Sequence, residues 1–223
     1  MMSATLALLL DIDGTLVDTF DLILEAMNVA ITEAGVEPLR AEDLRPLIGM
    51  PVDVQMRILR DMVGPDVQGI ADRYYEVFHG LVDRGLRVYP GVRETLERLK
   101  DRPIATMSTR RREEARHMLH VAGIDGYFRA IIGGDEVPRP KPSPDLPRHA
   151  AKALGVPPSG AAVVGDSPVD VQAGRAAGTR TIAATYGYGG LKALREAKPD
   201  AEIARFSDLP GALAALEAGP SRR

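Results

Sequence analysis

The feature that most constrains the fold is an interruption. Short apolar runs alternate with helix-period segments from residue 89 onward, yet one such run stands far ahead of them at residues 5–10. It reads as a strand buried on both faces and ends in Asp11-Ile12-Asp13-Gly14-Thr15. Between the two regions the pattern is helical throughout. Phe20, Leu24, Met27, Ile31 and Ala34 share one face, with Gly35 as a stop. Val52, Met56, Leu59 and Val63 form a second stripe, and Val67, Ile70, Tyr74, Val77 or Phe78, and Leu81 a third. After Tyr89-Pro90-Gly91, helices expected at 92–100, 112–122, 146–154 and 169–177 alternate with strands expected at 103–107, 129–132, 161–164 and 181–184. Alternation of this kind predicts an α/β fold, a doubly wound and mostly parallel sheet with helices on both faces. Because the first strand precedes the helical stretch, that stretch must leave and rejoin a single core. The expected division is a discontinuous α/β core at 1–16 and 89–223, with a small all-helical cap at 17–88. A cleft is expected between them, at the carboxyl ends of the strands.

Composition narrows the function classes. A chain of 223 residues holds one large domain or one domain with an insert. Its formal charge of −3 supplies no general attraction to nucleic acid or to an anionic membrane, so any anion must be held by a local site. With no cysteine there are no disulfides, thiolate metal sites or cysteine nucleophiles, which fits a cytoplasmic location. Leu6 to Leu10 is too short to span a membrane, and it lacks the basic flank of a signal peptide.

Four polar clusters each follow an expected strand, so all four are expected on one sheet edge. They are Asp11 with Asp13, Ser108 with Thr109, Lys141 within Arg-Pro-Lys-Pro-Ser-Pro, and Gly165-Asp166-Ser167-Pro168-Val169-Asp170. Alternation along an extended segment puts Asp11 and Asp13 on one side. Converging carboxylates repel unless a cation lies among them, and an all-oxygen donor set favours magnesium before calcium. Lys141 adds a compact positive charge, and Ser108 can donate to phosphate oxygens. Asp11 is then placed for attack on phosphorus, giving an aspartyl-phosphate, and Asp13 for proton transfer to the leaving oxygen and later from water.

At these residues the chain resembles the haloacid dehalogenase-like phosphohydrolases. Asp11–Leu16 is similar to that family's first motif, Ser108 to the second, Lys141 to the third, and Gly165–Asp170 to the fourth. The helical insert resembles the family's cap. Within the family the sequence looks most like the phosphoglycolate phosphatase branch, through Asp18-Thr19, Arg139-Pro140-Lys141-Pro142 and the segment Thr185-Tyr186-Gly187-Tyr188-Gly189-Gly190. The resemblance implies Mg2+ held by Asp11, the Asp13 backbone carbonyl and Asp166, with Asp170 acting behind them or through a water. Two departures are visible: the second motif commonly continues as Asn-Lys, whereas here Ser108 is followed by Thr109 and Arg110, and the helix after Lys141 begins with Pro144 and Pro147, tolerable only in a first turn.

Each of these residues also has an ordinary reading. Asp-Gly is common in solvated turns, Asp166 and Asp170 suit a helix start, and Lys141 could be a surface lysine. The ordered recurrence of all four clusters after strands favours the chemical reading. Arg110 to Arg112 read as solvated charge at a helix start, His79, His117, His120 and His149 show no ligand spacing, and Gly187, Gly189 and Gly190 read as turn-shaping. Arg45 and Gly49, in a cap loop, are candidates to face the cleft and bind substrate. The tail from Gly219 reads as disordered.

Asp13 argues against a dehalogenase, which needs no acid, and the absence of any lysine before Lys100 excludes Schiff-base chemistry in the cap. The expected activity is hydrolysis of a small phosphorylated metabolite, with phosphoglycolate leading. Phosphosugars, a phosphomutase reaction and inorganic pyrophosphate follow, then a non-catalytic binding module. A monomer or small homo-oligomer is expected.

Overall fold

A computed structural model describes residues 5–218. The expectation of disorder from Gly219 lies outside the described residues. The central sheet has five strands, β1 (Ala7–Leu10), β4 (Ile104–Thr106), β5 (Ala161–Gly165), β6 (Arg180–Ala184) and β7 (Ala201–Ile203), in the order β4-β1-β5-β6-β7. Every pairing in it is parallel, with Leu10 opposite Thr106 on one side and Val164 on the other. β1 is therefore central, and its sequence is apolar without alternation because helices cover both its faces.

Both faces of β1 are covered by helices. Leu8 and Leu10 pack into a cluster with Val92 and Leu96 of α5 (Val92–Arg98), Met118 and Leu119 of α6 (Arg112–Val121), and Leu209 and Leu213 of α10 (Leu209–Glu217). Ala7 and Leu9 face the other way, onto Leu146, Ala150 and Ala151 of α7 (Asp145–Ala153). α8 (Pro168–Ala177) and α9 (Leu191–Glu196) pack Val171 and Leu194 on Ala183. The period-two division of β1 residues between two helical layers is the doubly wound arrangement.

Between β1 and α5 lie the cap helices α1 (Phe20–Glu33), α2 (Ala41–Leu44), α3 (Val52–Arg60) and α4 (Pro65–Val82). The expectation of unbroken helix across this stretch needs correction at its ends. β2 (Val17–Asp18) pairs antiparallel with β3 (Arg87–Val88), so both chain crossings run through one short ribbon. The Tyr89 N–H donates to the Leu16 carbonyl at 3.0 Å, and Arg87 pairs with Asp18. Two-residue strands carry no periodicity to read. The apolar interior is continuous across the crossings, joining Leu16 and Val17 to Phe20, Met27 and Phe78.

The strand expected at 129–132 is reduced to a single bridge, Ala105 to Ala130. The Thr106 hydroxyl takes both backbone groups of Ile132, donating to its carbonyl at 2.8 Å and accepting its N–H at 2.6 Å. That side chain replaces the next rung of the ladder. α7 begins at Asp145, with Pro144 before it and Pro147 in its first turn, where a missing N–H costs nothing. Beyond residue 184 the structure adds α9, β7 and α10, where β7 is three residues long with Glu202 exposed at the sheet edge.

Candidate active site

The carboxyl ends of β1, β4 and β5, with the loop that precedes α7 and carries Lys141, deliver the four clusters to one place. Asp11 follows β1 directly, and its N–H bonds to the Val164 carbonyl at 2.9 Å, fixing it to β5. Asp166 follows β5, and Asp170 lies in the first turn of α8. Asp11, Asp166 and Asp170 are all buried and can bring one carboxylate oxygen each within 4.8 Å of the others. Lys141 has a side chain 0% exposed, and its Nζ lies 3.0 Å from Asp11 Oδ1, 2.6 Å from Asp170 Oδ1 and 3.2 Å from the Met107 carbonyl. The other oxygen of Asp170 accepts the Ser167 N–H at 3.0 Å, so this acid serves the helix start and the site together. Asp166 accepts the Thr15 hydroxyl at 3.1 Å and the Tyr188 N–H at 2.6 Å.

Three buried acids and one ammonium leave excess negative charge. Burial pushes the Asp11 carboxyl well above the ordinary range, with Lys141 opposing and Asp170 and Asp166 adding to the rise. Burial, followed by repulsion from Asp170, pushes Asp166 to about 7. Buried acids that repel one another mark a site short of positive charge, which a hard divalent cation held by these oxygens would supply. The donor set thus fits such an ion.

Close backbone approach is part of the design. Gly14 adopts φ +76°, and a Cβ there would lie 2.3 Å from Asp166 Oδ2. A Cβ on Gly187 would lie 2.3 Å from the Cβ of Asp166, which has no freedom to move aside. Gly187 therefore does more than shape a turn. Gly187→Ala is expected to displace Asp166, cost about 1–3 kcal/mol of stability by overpacking and weaken cation binding. Thermal melting with and without added magnesium checks this, because only a displaced acid lowers both the melting point and its rise with the ion.

Asp13 lies apart from this cluster of three and has its own partners. Its Oδ1 accepts the Thr19 hydroxyl at 2.6 Å and Arg110 Nη2 at 3.0 Å, and its Oδ2 accepts Arg110 Nε at 3.0 Å. Burial opposes its charge, but the Arg110 guanidinium with the Arg110 and Thr19 hydrogen bonds holds the carboxyl below its ordinary value. Arg110 corrects the expectation of solvated charge: it is 7% exposed and enclosed by Asp13, Glu114, Tyr74 and Phe78. Arg111 and Arg112 are exposed, as expected.

Ser108 is buried, and its Oγ accepts the Arg110 N–H at 3.1 Å. Thr109 lines a cavity of about 40 Å³ with Asp13, Arg110, Gly49, Gln55 and Tyr74. The cap thus covers Asp13 directly, through Gly49 of the loop singled out in the sequence. Arg45 is exposed, with its guanidinium 3.7 Å from the centroid of the Phe20 ring, and does not line that cavity. Tyr188, also unanticipated, accepts the N–H groups of Thr19 and Phe20 at 2.7 and 3.1 Å, tying the loop after β6 to the start of α1. Only the Tyr-Gly pattern of residues 186–190 hinted at it.

Fold and site define a capped α/β enzyme with an acidic, lysine-bearing centre. The sequence profile described as "Haloacid dehalogenase-like hydrolase" matches residues 8–184. The chain is 34% identical over 209 residues to a phosphoglycolate phosphatase of Aquifex aeolicus, covering 91% of this chain and 93% of that protein. It is 31% identical over 205 residues to the pyrophosphatase PpaX of Bacillus velezensis, covering 91% and 94%. A crystal structure of a predicted phosphoglycolate phosphatase from Haemophilus somnus superposes with a TM-score of 0.86 at 25% identity, over 95% of this chain and 99% of that one. The chain belongs to the haloacid dehalogenase-like hydrolases, among the phosphatases of their phosphoglycolate phosphatase-like branch. No helix among the described residues is long and apolar enough to cross a membrane.

Proposed function

We propose that the protein is a magnesium-dependent phosphatase that hydrolyses a small, cytoplasmic phosphate monoester through an aspartyl-phosphate on Asp11, with phosphoglycolate as the leading substrate. The observation that carries this is the buried Asp11 carboxylate, 3.0 Å from Lys141 Nζ, at the edge of the three-acid cluster. Asp11, Asp166 and the Asp13 carbonyl would hold magnesium, with Asp170 behind them. Bound there, the ion would neutralise the acids and the phosphoryl oxygens.

In the first step Asp11 forms a bond to phosphorus as the bond to the leaving oxygen breaks, and Asp13, which must enter this step protonated and out of its Arg110 contacts, gives that oxygen its proton. In the second, Asp13 takes a proton from the water that attacks the aspartyl-phosphate, releasing inorganic phosphate and restoring Asp11. Lys141, pinned by Asp11 and Asp170, keeps positive charge beside the transferring group throughout. Ser108 and Thr109 present the end of β4 to the phosphate, and Arg45 stands at the cap for the remainder of the substrate. A cavity of about 40 Å³ has room for water but not for a leaving group, so the helices between β2 and β3 must swing to admit substrate.

The relative in Bacillus velezensis supports pyrophosphate as a second reading. Steady-state assays of the purified protein on phosphoglycolate, sugar phosphates and pyrophosphate test the choice. Phosphoglycolate is expected to give the highest kcat/KM, with loss of at least about 100-fold in excess chelator and recovery on adding magnesium. Full activity in chelator contradicts the metal assignment, and a pyrophosphate preference selects the second reading.

A further inference from the structure

Among the described residues, two buried side-chain polar atoms lack a hydrogen-bond partner, Gln55 Oε1 and Glu114 Oε2. The first belongs to a residue that lines the cavity beside Asp13, and the second does not. Gln55 is 4% exposed and sits near the start of α3. Its Nε2 donates to the Met50 carbonyl at 2.8 Å and to the Leu47 carbonyl at 3.3 Å. That pair fixes the orientation of the amide, because turning it over would set Oε1 against two carbonyl oxygens. The loop so held lies over the acidic centre: a Cβ on Gly49 would come within 3.8 Å of Ser167 Oγ.

Pinning the loop uses only the NH2 half of the amide and leaves its carbonyl over. Oε1 is held out of water's reach with its hydrogen-bonding capacity unmet, a cost that an apolar side chain of similar length would not incur. The complement of such an acceptor is a donor carried in by a ligand. Ile23, Ile48 and Val52 line the same cavity and suit a short hydrocarbon chain. Asp13 and Thr109 border it too, so a chain that enters it is the part of the substrate beyond the phosphate.

We propose that Gln55 sets specificity by accepting, on Oε1, a hydrogen bond from a hydroxyl of the leaving group, so that short phosphate esters with a free hydroxyl form a second class of substrate. The inference rests on the phosphatase reading of Asp11 but not on phosphoglycolate, since esterified glycolate has no hydroxyl left to donate. Turnover is the same hydrolysis: water adds across the P–O bond and releases a diol and inorganic phosphate. The donor gains its full hydrogen bond because Oε1 gives up no water to receive it. An ester without the donor leaves Oε1 unmet and is discriminated against.

Three esters that differ only in what the second carbon carries separate the donor from bulk. They are ethyl phosphate, 2-hydroxyethyl phosphate and 2-methoxyethyl phosphate, which keeps the oxygen and loses the proton. In magnesium, the unmodified protein is expected to favour the hydroxyethyl ester at least about tenfold in kcat/KM over each of the others. Q55M removes the acceptor and is expected to bring the three within about threefold of one another. It also releases the Leu47 and Met50 carbonyls, but a displaced loop lowers all three esters together and leaves their ratio unchanged. Melting temperatures accompany the assay, and Q55A gives the same reading should Q55M not fold. The inference is overturned by equal turnover of the three esters in the unmodified protein, by a hydroxyl preference that survives in the variant, or by hydrolysis of phosphoglycolate with none of the hydroxyethyl ester. The phosphatase reading stands in each of those cases. If phosphoglycolate and all three esters stay intact in magnesium, the phosphatase reading fails and the inference with it.

Discussion

Asp11→Asn is expected to abolish phosphoester turnover, by about 10⁴-fold or more, while leaving the protein folded. The amide cannot serve as the attacking oxygen, and no other carboxylate shares its place at the end of β1. The fold should tolerate the change because the ionised acid is already disfavoured there. Burial pushes its carboxyl well above the usual range, and Asp170 and Asp166 add to the rise. An uncharged isostere removes one of three mutually repelling acids, and Lys141 retains Asp170 at 2.6 Å. The metal-free variant should therefore melt no lower than the unmodified protein. Turnover within tenfold of the original would end the nucleophile assignment. A large drop in melting temperature would instead show that Asp11 is held mainly as a structural ion pair.

Lys141→Ala is expected to be the most damaging single change to stability. It strips the ammonium from between Asp11 and Asp170 and leaves both acids buried, a loss of about 3–5 kcal/mol. That corresponds to a fall in Tm of roughly 6–20 °C for a chain of this size. The deficit has a definite pH dependence. Without the ammonium, which alone opposes it, burial raises Asp11 further in the folded state, so above the ordinary carboxylate range the folded protein binds more protons than the unfolded chain. Stability then falls as pH rises, and the variant should recover at mildly acidic pH. Added magnesium should restore part of the loss by replacing the missing positive charge. Denaturant titrations across pH, with and without magnesium, test both statements. A loss independent of pH would show that Lys141 acts through packing and not through its charge.

The sequence was most legible where periodicity and chemistry coincide. β1 shows as an apolar run because helices cover both its faces, and the acids beyond it are recognisable because their type and order recur after later strands. Lys141 was identifiable for the same reason. Arg110 was not, since nothing in Ser-Thr-Arg-Arg-Arg distinguishes one buried guanidinium from two exposed ones. Its burial depends on Tyr74 and Phe78, brought over it by a chain reversal of the whole insert. Tyr188 was hidden likewise, because its hydroxyl meets the backbone of Thr19, a residue 169 positions earlier in the chain, and that of Phe20 beside it. The strand expected at 129–132 failed for a local reason: a threonine hydroxyl outcompeted the ladder. Long-range polar contacts and side-chain competition for backbone groups leave no periodic trace.

The pairing of Val17–Asp18 with Arg87–Val88 carries a consequence for the ancestry and engineering of the chain. Departure and return sit side by side, so the helices between them could be lengthened, trimmed or exchanged without rerouting any strand of the parallel sheet. The limit on such grafts is chemical and not topological. A replacement layer would have to cover Leu16 and Val17 as Phe20 and Phe78 do now, and it would need a new companion for the guanidinium that grips Asp13.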